Sequence, residues 1–123
     1  MSKPTVLVVE DDEWTAEHEK KVLEDAGYQV ALAPHALSAI VTIDEVRPDV
    51  LVLDVLLTGS TGFALLHELQ SYVDTSALPI IVCTNAAESL RLEDLASYGV
   101  KRILDKSTMH PEDLAVAVRS VLP

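Results

Sequence analysis

The chain has 123 residues, of which 49% are hydrophobic and 24% are charged, and its formal net charge at pH 7 is −11. This length and apolar content suit one globular domain with a buried core and exclude an intrinsically disordered chain. The acidic balance argues against nucleic acid as a direct partner, because such affinity comes largely from Lys and Arg at phosphate groups.

Short apolar runs alternate along the chain with segments of helical periodicity. The apolar runs predict strands over Val6–Val9, Tyr28–Leu32, Val50–Leu53, Ile80–Cys83 and Arg102–Leu104. The helical segments are Trp14–Ala26, Ala36–Val46, Phe63–Tyr72, Ser89–Tyr98 and a last helix that begins at Pro111. This alternation predicts an α/β fold with one doubly wound, five-stranded parallel sheet and helices on both faces. We expect a single domain over residues 1–123, with no output domain in this chain.

The residues that follow each predicted strand indicate the strand order. Glu10 and Asp11 follow the first strand, Asp54 the third, Thr84 the fourth and Lys106 the fifth, whereas the second runs into Ala33. Ligands of open α/β sheets bind beyond the carboxyl ends of the strands, where the strand order reverses. The order 2-1-3-4-5 would bring the polar ends together and leave the second strand at the edge.

Four consecutive acids, Glu10 to Glu13, follow the first strand and repel one another,. One explanation is helix capping, because acids are favoured at a helix N-terminus. The other explanation is a divalent cation held between carboxylates. The four acids alone leave both explanations open.

The polar strand ends also suit one particular chemistry. Mg²⁺ prefers one or two carboxylates together with waters and phosphate oxygens, and Asp11 and Asp54 could supply them, with Glu10 helping directly or through water. A carboxylate can attack phosphorus and form an aspartyl-phosphate. Thr84 and Lys106 could then donate a hydroxyl and an ammonium to the transferred phosphoryl oxygens.

Four segments, VLVVEDDE, DVLVLDVLLTGSTG, IIVCTNAAE and ILDKS, resemble the receiver domains of two-component response regulators. The resemblance spans essentially the whole chain. It implies that Asp54 is the phosphoacceptor, that Thr84 is the switch hydroxyl and that Lys106 is the lysine of the family. It also implies a Mg²⁺ site formed by Glu10, Asp11, Asp54 and the backbone carbonyl of Leu56. Asp12 and Glu13 keep the role of capping the first helix.

The resemblance implies a function in a phosphorelay. The domain would take a phosphoryl group from a histidine kinase or a histidine phosphotransfer protein and signal to a downstream protein through altered contacts. It would catalyse only its own phosphorylation and dephosphorylation, and a phosphorylation-dependent dimer is compatible with this. Neither a signal peptide nor an apolar run of about 20 residues is seen, so we expect a cytoplasmic protein without membrane contact.

Some residues depart from the family pattern. Ile103 stands where an aromatic switch residue is common, Ser107 and Thr58 stand at usual proline positions, and Asn85 is larger than the usual residue beside Thr84. These departures motivate an alternative, a receiver-fold binding module that does not switch on phosphorylation. A phosphatase of the haloacid-dehalogenase kind fits poorly, because its D-x-D pattern does not follow the first strand.

Three further predictions concern individual side chains. Cys83 lies in an apolar run, so we expect a buried and unreactive thiol. Trp14 on the first helix is expected to have a packing role and no direct role in function. Leu56 and Ala86 are expected to flank the path of the water that hydrolyses the acyl phosphate.

Overall fold

The structure is a computed structural model that describes residues 3–56, 62–72 and 74–122. Its strands are β1 Thr5–Val9, β2 Gln29–Ala33, β3 Val50–Leu53, β4 Ile80–Thr84 and β5 Val100–Asp105. Its α-helices are α1 Glu13–Asp25, α2 Ala36–Val46, α3 Gly62–Gln70, α4 Leu92–Leu95 and α5 Pro111–Val121. Every strand pairing is parallel, and the strand order is β2-β1-β3-β4-β5. The predicted fold class and strand order are therefore confirmed.

The core is divided between the two faces of the sheet, because successive side chains of a strand point to opposite faces. On one face Leu7, Leu51 and Val82 pack in a cluster that includes residues of α2, α3 and α4. On the other face Val8 and Cys83 pack in a cluster that includes residues of α1 and α5. The inner strands β1, β3 and β4 are buried on both faces, which explains their continuous apolar sequences,.

The fourth predicted helix is wrong in its extent. In place of one helix over Ser89–Tyr98, the chain forms a 3-10 turn at Ala87–Ser89, the single α-turn α4, and a second 3-10 turn at Ala96–Tyr98. Leu90 is extended, with φ −110° and ψ 147°, and therefore separates the first two elements. No side chain caps any of the three elements, so nothing local extends them into one helix,.

Gly62, the first residue of α3, lies against the chain that leaves β3. A Cβ atom at this position would lie 2.5 Å from Val55 Cα and 2.8 Å from the Asp54 carbonyl oxygen. Both contacts are with backbone atoms, so the chain around Asp54 would have to move. The close approach of α3 to the end of β3 therefore requires glycine here.

We expect Gly62→Ala to lower the free energy of unfolding by about 2 kcal/mol, a typical cost of overpacking. Denaturant titration measures this change. Gly27→Ala is the control, because Gly27 has φ 101° but no atom within 4 Å of its Cβ position, so alanine there has only a conformational cost of about 1 kcal/mol,. A Gly62→Ala protein as stable as Gly27→Ala would contradict the steric argument.

Candidate phosphorylation site

Glu10 and Asp54 leave the neighbouring strands β1 and β3 at the carboxyl edge of the sheet, and both are buried. The hydrogen bonding of the sheet continues through these residues. The Glu10 N–H donates to the Ala33 carbonyl at 3.1 Å, and the Asp54 N–H donates to the Val9 carbonyl at 3.2 Å. The backbone thus holds two acidic residues side by side at the edge of the core.

Lys106, directly after β5, connects the two acids. Its Nζ donates to Glu10 Oε1 and, at 2.7 Å, to Asp54 Oδ2, while its own side chain is 14% exposed. Burial opposes the charge of the ammonium, but the hydrogen bonds to Asp54 and Glu10 outweigh burial and raise the pKa of Lys106 above its usual value. The ammonium therefore stays charged and compensates the buried carboxylates, which would otherwise be costly to bury.

The second oxygen of each carboxylate accepts a backbone hydrogen bond. Asp54 Oδ1 accepts from the Leu56 N–H at 2.9 Å, and Glu10 Oε2 accepts from the Asp12 N–H at 3.1 Å. Burial nevertheless raises the pKa of Glu10, more than the hydrogen bonds to Lys106 and Asp12 lower it. Together with Lys106, these backbone donors hold the Asp54 carboxylate in one orientation.

The remaining predicted site residues lie on the same edge of the sheet. Thr84 ends β4, is fully buried, and accepts a hydrogen bond at Oγ1 from the Ala86 N–H at 3.2 Å. The Lys106 N–H donates to the Thr84 carbonyl at 3.1 Å, so the ends of β4 and β5 are joined. Asp11 follows Glu10 and is partly buried. Thr58 and its neighbours, residues 57–61, lie outside the described part of the chain.

The donor set at this edge fits a hard divalent cation. Within residues 3–56, 62–72 and 74–122, no group of three or more His, Cys, Asp or Glu side chains converges as a metal cluster. Mg²⁺ does not need such a group, because it keeps several waters and binds through one or two carboxylates. The Lys106 ammonium already lies between Glu10 and Asp54, which shows that this carboxylate pair accommodates positive charge.

The predicted cap of the first helix is confirmed. Asp12 is the N-cap of α1, and its Oδ2 accepts hydrogen bonds from the Thr15 hydroxyl at 2.5 Å and the Thr15 N–H at 2.9 Å. These bonds lower the pKa of Asp12. Glu13 lies in the first turn, where the helix dipole favours a negative charge,. Of the four consecutive acids, Asp12 and Glu13 therefore stabilise the start of α1, whereas Glu10 and Asp11 lie at the carboxyl edge of the sheet.

Trp14 packs at the surface of α1, where its side chain is 74% exposed. Its ring stacks on His18 one turn along α1, with ring centroids 5.3 Å apart. Both rings line a cavity of about 290 Å³, which we call the Trp14 cavity. Its other lining residues are Thr15, Glu19, Asn85, Lys106, Met109 and Pro111.

Cys83 is buried as predicted, and burial raises the pKa of its thiol to about 12. A thiol with this pKa is almost entirely protonated near neutral pH, and the thiolate is the reactive form. The structure therefore agrees with an unreactive cysteine.

One buried acid was not predicted from the sequence. Glu19 of α1 is 3% exposed, although we had no expectation for it. Its position relative to the other buried residues of α1, Ala16 and Leu23, was the available signal. Spacings of three and four residues place all three on one side of a helix, so a helical projection would have put Glu19 on the buried side.

Comparison with known proteins agrees with this fold. Residues 6–119 match the model of the response regulator receiver domain family. The transcriptional regulatory protein CseB of Streptomyces coelicolor is 32% identical over 116 residues, which are 94% of this chain and 47% of CseB. The phosphate regulon transcriptional regulatory protein PhoB of Rhizobium meliloti is 34% identical, over 91% of this chain and 49% of PhoB.

The chain thus spans about half the length of these curated relatives. Among solved structures, chemotaxis protein CheY4 of Vibrio cholerae is similar with a TM-score of 0.86 and 26% identity, over 98% of this chain and 100% of that chain. The parallel sheet in the order β2-β1-β3-β4-β5 is the fold of CheY-like receivers. The chain belongs to the response regulator receiver domain family, the receiver component of two-component signalling.

Proposed function

We propose that this domain accepts a phosphoryl group on Asp54 from a phosphohistidine of a histidine kinase or a histidine phosphotransfer protein. One observation carries the proposal. The buried Asp54 carboxylate is held between Lys106 Nζ at 2.7 Å and the Leu56 N–H at 2.9 Å, at the edge of the sheet where α/β proteins bind ligands,. A carboxylate oriented in this way beside a positive charge is suited to in-line attack on phosphorus.

The transfer proceeds by exchange of one bond at phosphorus. A carboxylate oxygen of Asp54 forms the new P–O bond while the P–N bond to the partner's imidazole breaks. The imidazole keeps the electron pair of the broken bond. Lys106 neutralises charge on the transferred group, and Thr84, on the adjacent strand, offers its hydroxyl to a phosphoryl oxygen. Mg²⁺ would be held by Glu10, Asp11, Asp54 and the Leu56 carbonyl, and it would supply further charge neutralisation.

The domain would pass its signal to a downstream protein through altered surface contacts, in the cytoplasm, and would act catalytically only on its own phosphorylation state. Phosphorylation-dependent dimerisation is one way to change those contacts.

In the described residues, no helix is long and apolar enough to cross a bilayer.

A second candidate is a receiver-fold module whose surface does not respond to phosphorylation. Ile103 is half-buried and packs against the core cluster on the α2–α4 face of the sheet. It carries no polar tip that would favour an exposed orientation. The two candidates differ in whether a phosphoryl group changes the partner-binding surface.

Acetyl phosphate with Mg²⁺ tests the proposed function, because it supplies the phosphoryl group without a partner protein. We expect intact-mass spectrometry to show one added phosphoryl group on the parent protein and none on Asp54→Asn. Amide chemical shifts before and after modification then separate the two candidates. Shifts confined to the site favour the static module, and shifts that extend to β5 favour the switch. An unmodified parent protein would contradict the proposal.

Asp11→Asn tests the metal assignment. Removing one of the adjacent like charges should raise the free energy of unfolding without Mg²⁺ by about 1 kcal/mol. The same change should abolish Mg²⁺ binding, because a hard cation loses a carboxylate ligand. Calorimetric titration with MgCl₂ and denaturant unfolding measure the two effects. If Asp11→Asn binds Mg²⁺ as tightly as the parent protein, Asp11 is not a ligand.

A further inference from the structure

Glu19 is a buried acid for which the proposed phosphorylation chemistry has no use. In the part of the chain that the structure describes, its Oε2 is the one buried side-chain nitrogen or oxygen without a hydrogen-bond partner. An unsatisfied buried acceptor costs stability and is uncommon in folded proteins. The retention of such an atom beside a functional site therefore suggests that it has a partner in another state of the protein.

Glu19 and Lys106 line the same cavity, the Trp14 cavity defined above. The ionisable groups that interact electrostatically with Glu19 lie in the strands or directly after them: Glu10 after β1, Asp54 after β3, Cys83 in β4 and Lys106 after β5. His18, on the same helix, lines the same cavity as Glu19. Lys106 is the cation whose charge acts on Glu19. It is therefore the natural candidate for the missing partner.

The ammonium of Lys106 and a divalent cation compete for the same place. The ammonium now lies between Glu10 and Asp54, the carboxylates that the proposed function assigns to Mg²⁺. Two cations at these carboxylates repel each other, most strongly where water is scarce. A lysine ammonium sits on a flexible four-carbon stem, so it can withdraw while its backbone stays in place.

We propose that Glu19 is a positioning residue that receives the displaced ammonium of Lys106 when a divalent cation occupies the Glu10–Asp54 carboxylates. This inference rests on the proposed function. It gives the unpaired Oε2 a donor in the metal-loaded state. The pairing with Glu19 also keeps the Lys106 ammonium inside the site and away from bulk water. There the ammonium remains available to the incoming phosphoryl group.

Glu19 can act in this way only when it is ionised. Burial raises the pKa of Glu19 to about 7, and the positive charge of Lys106 opposes this rise. Glu19 is therefore largely ionised at about pH 8 and largely protonated at about pH 5.5. A comparison at these two pH values separates a charged acceptor for Lys106 from a buried carboxyl group that only fills space.

Mg²⁺ affinity, measured by calorimetric titration, is the first test. At about pH 8 we expect Glu19→Gln to weaken Mg²⁺ binding about tenfold, the size of one charge-assisted hydrogen bond. Glu17→Gln is the matched control, since it removes the same charge from an exposed position of α1 and should change the affinity less than twofold. At about pH 5.5 the parent protein and Glu19→Gln should bind alike. Equal affinity of these two proteins at about pH 8 would overturn the proposal.

A double-mutant cycle with Lys106→Met distinguishes the ion pair from a long-range effect of charge. If Glu19 acts through Lys106, Glu19→Gln should change Mg²⁺ affinity less than twofold in the Lys106→Met protein. A tenfold loss that persists without Lys106 would mean that Glu19 attracts the cation directly, and it would overturn the proposal. A parent protein that binds no Mg²⁺ would overturn the proposed metal chemistry as well, so the two failures are distinguishable.

The Glu19 carboxyl carbon provides a readout in the parent protein, which does not depend on the folding of a variant. Its NMR shift should titrate with a midpoint near 7 without metal, as burial of the carboxyl dictates. With saturating Mg²⁺ the midpoint should fall by about one pH unit or more, because the ammonium now pairs with the ionised form. An unchanged midpoint would overturn the proposal.

Discussion

At about pH 8 and without Mg²⁺, Glu19→Gln is expected to raise the free energy of unfolding by about 3 kcal/mol. Burial raises the pKa of Glu19 from 4.5 to about 7 in the folded protein. Each unit of such a difference corresponds to about 1.4 kcal/mol between the two protonation states. The carboxylate is therefore costly to keep in the folded state when the solution favours its ionised form, and a neutral amide of the same shape removes this cost.

The pH dependence of this gain has a definite sign. Between pH 4.5 and about 7 the folded protein binds the Glu19 proton and the unfolded chain does not, so stability falls as pH rises through this interval,. The gain from Glu19→Gln should be complete above about pH 7 and absent near pH 4, where Glu19 is protonated in both states. Urea titrations at both pH values measure it.

Glu17→Gln is the control for this stability measurement, because an exposed substitution should change the free energy of unfolding by no more than about 0.5 kcal/mol,. Two results would contradict the account of Glu19. One is equal stability of Glu19→Gln and the parent protein at about pH 8. The other is a gain that remains undiminished near pH 4, which would indicate better packing and not the removal of a buried charge.

The acyl phosphate on Asp54 is expected to persist for many minutes or longer, and Leu56→Asn should shorten its lifetime at least tenfold. Hydrolysis requires a water in line with the bond between phosphorus and the carboxylate oxygen. The Leu56 side chain is 56% exposed, and the backbone N–H of the same residue donates to Asp54 Oδ1 at 2.9 Å. Leucine cannot orient an attacking water, whereas asparagine offers it a hydrogen bond, and a positioned partner of this kind is worth about tenfold to a few hundredfold in rate.

The lifetime is measured by removing acetyl phosphate after modification and following the loss of the phosphoryl group in the presence of Mg²⁺. Leu37→Asn is a suitable control, because Leu37 is a highly exposed leucine on α2 and the change should leave the rate unaltered. Loss of the phosphoryl group from the parent protein within seconds would contradict this account of water access. The same conclusion would follow if Leu56→Asn hydrolysed at the parent rate.

The fold could be predicted from the sequence because its strongest signals are local. The strands β1, β3 and β4 are buried on both faces, so each is a continuous apolar run with clear ends,. The strand order followed from a second local signal, the polar residue after each strand that borders the site. The same signal identified Glu10, Asp54 and Lys106 as site residues, and in the structure the Lys106 side chain contacts both acids.

The prediction that failed, one helix over Ser89–Tyr98, and the buried acid that the sequence did not reveal, Glu19, both depended on tertiary structure. The segment Ser89–Tyr98 has helical spacing, but Leu90 adopts an extended conformation that its apolar character does not reveal. Glu19 was overlooked because an acid is normally exposed, whereas the packing of α1 on the sheet buries this one,.

The most direct test of the proposed function is identification of the residue that carries the phosphoryl group. Borohydride reduces an aspartyl-phosphate to homoserine, a permanent mark that peptide mapping can locate. After treatment with acetyl phosphate, Mg²⁺ and borohydride, we expect homoserine at position 54 and at no other position. Homoserine at another aspartate, or a phosphoryl group found on a serine or histidine with Asp54 unmodified, would contradict the assignment of Asp54 as the phosphoacceptor.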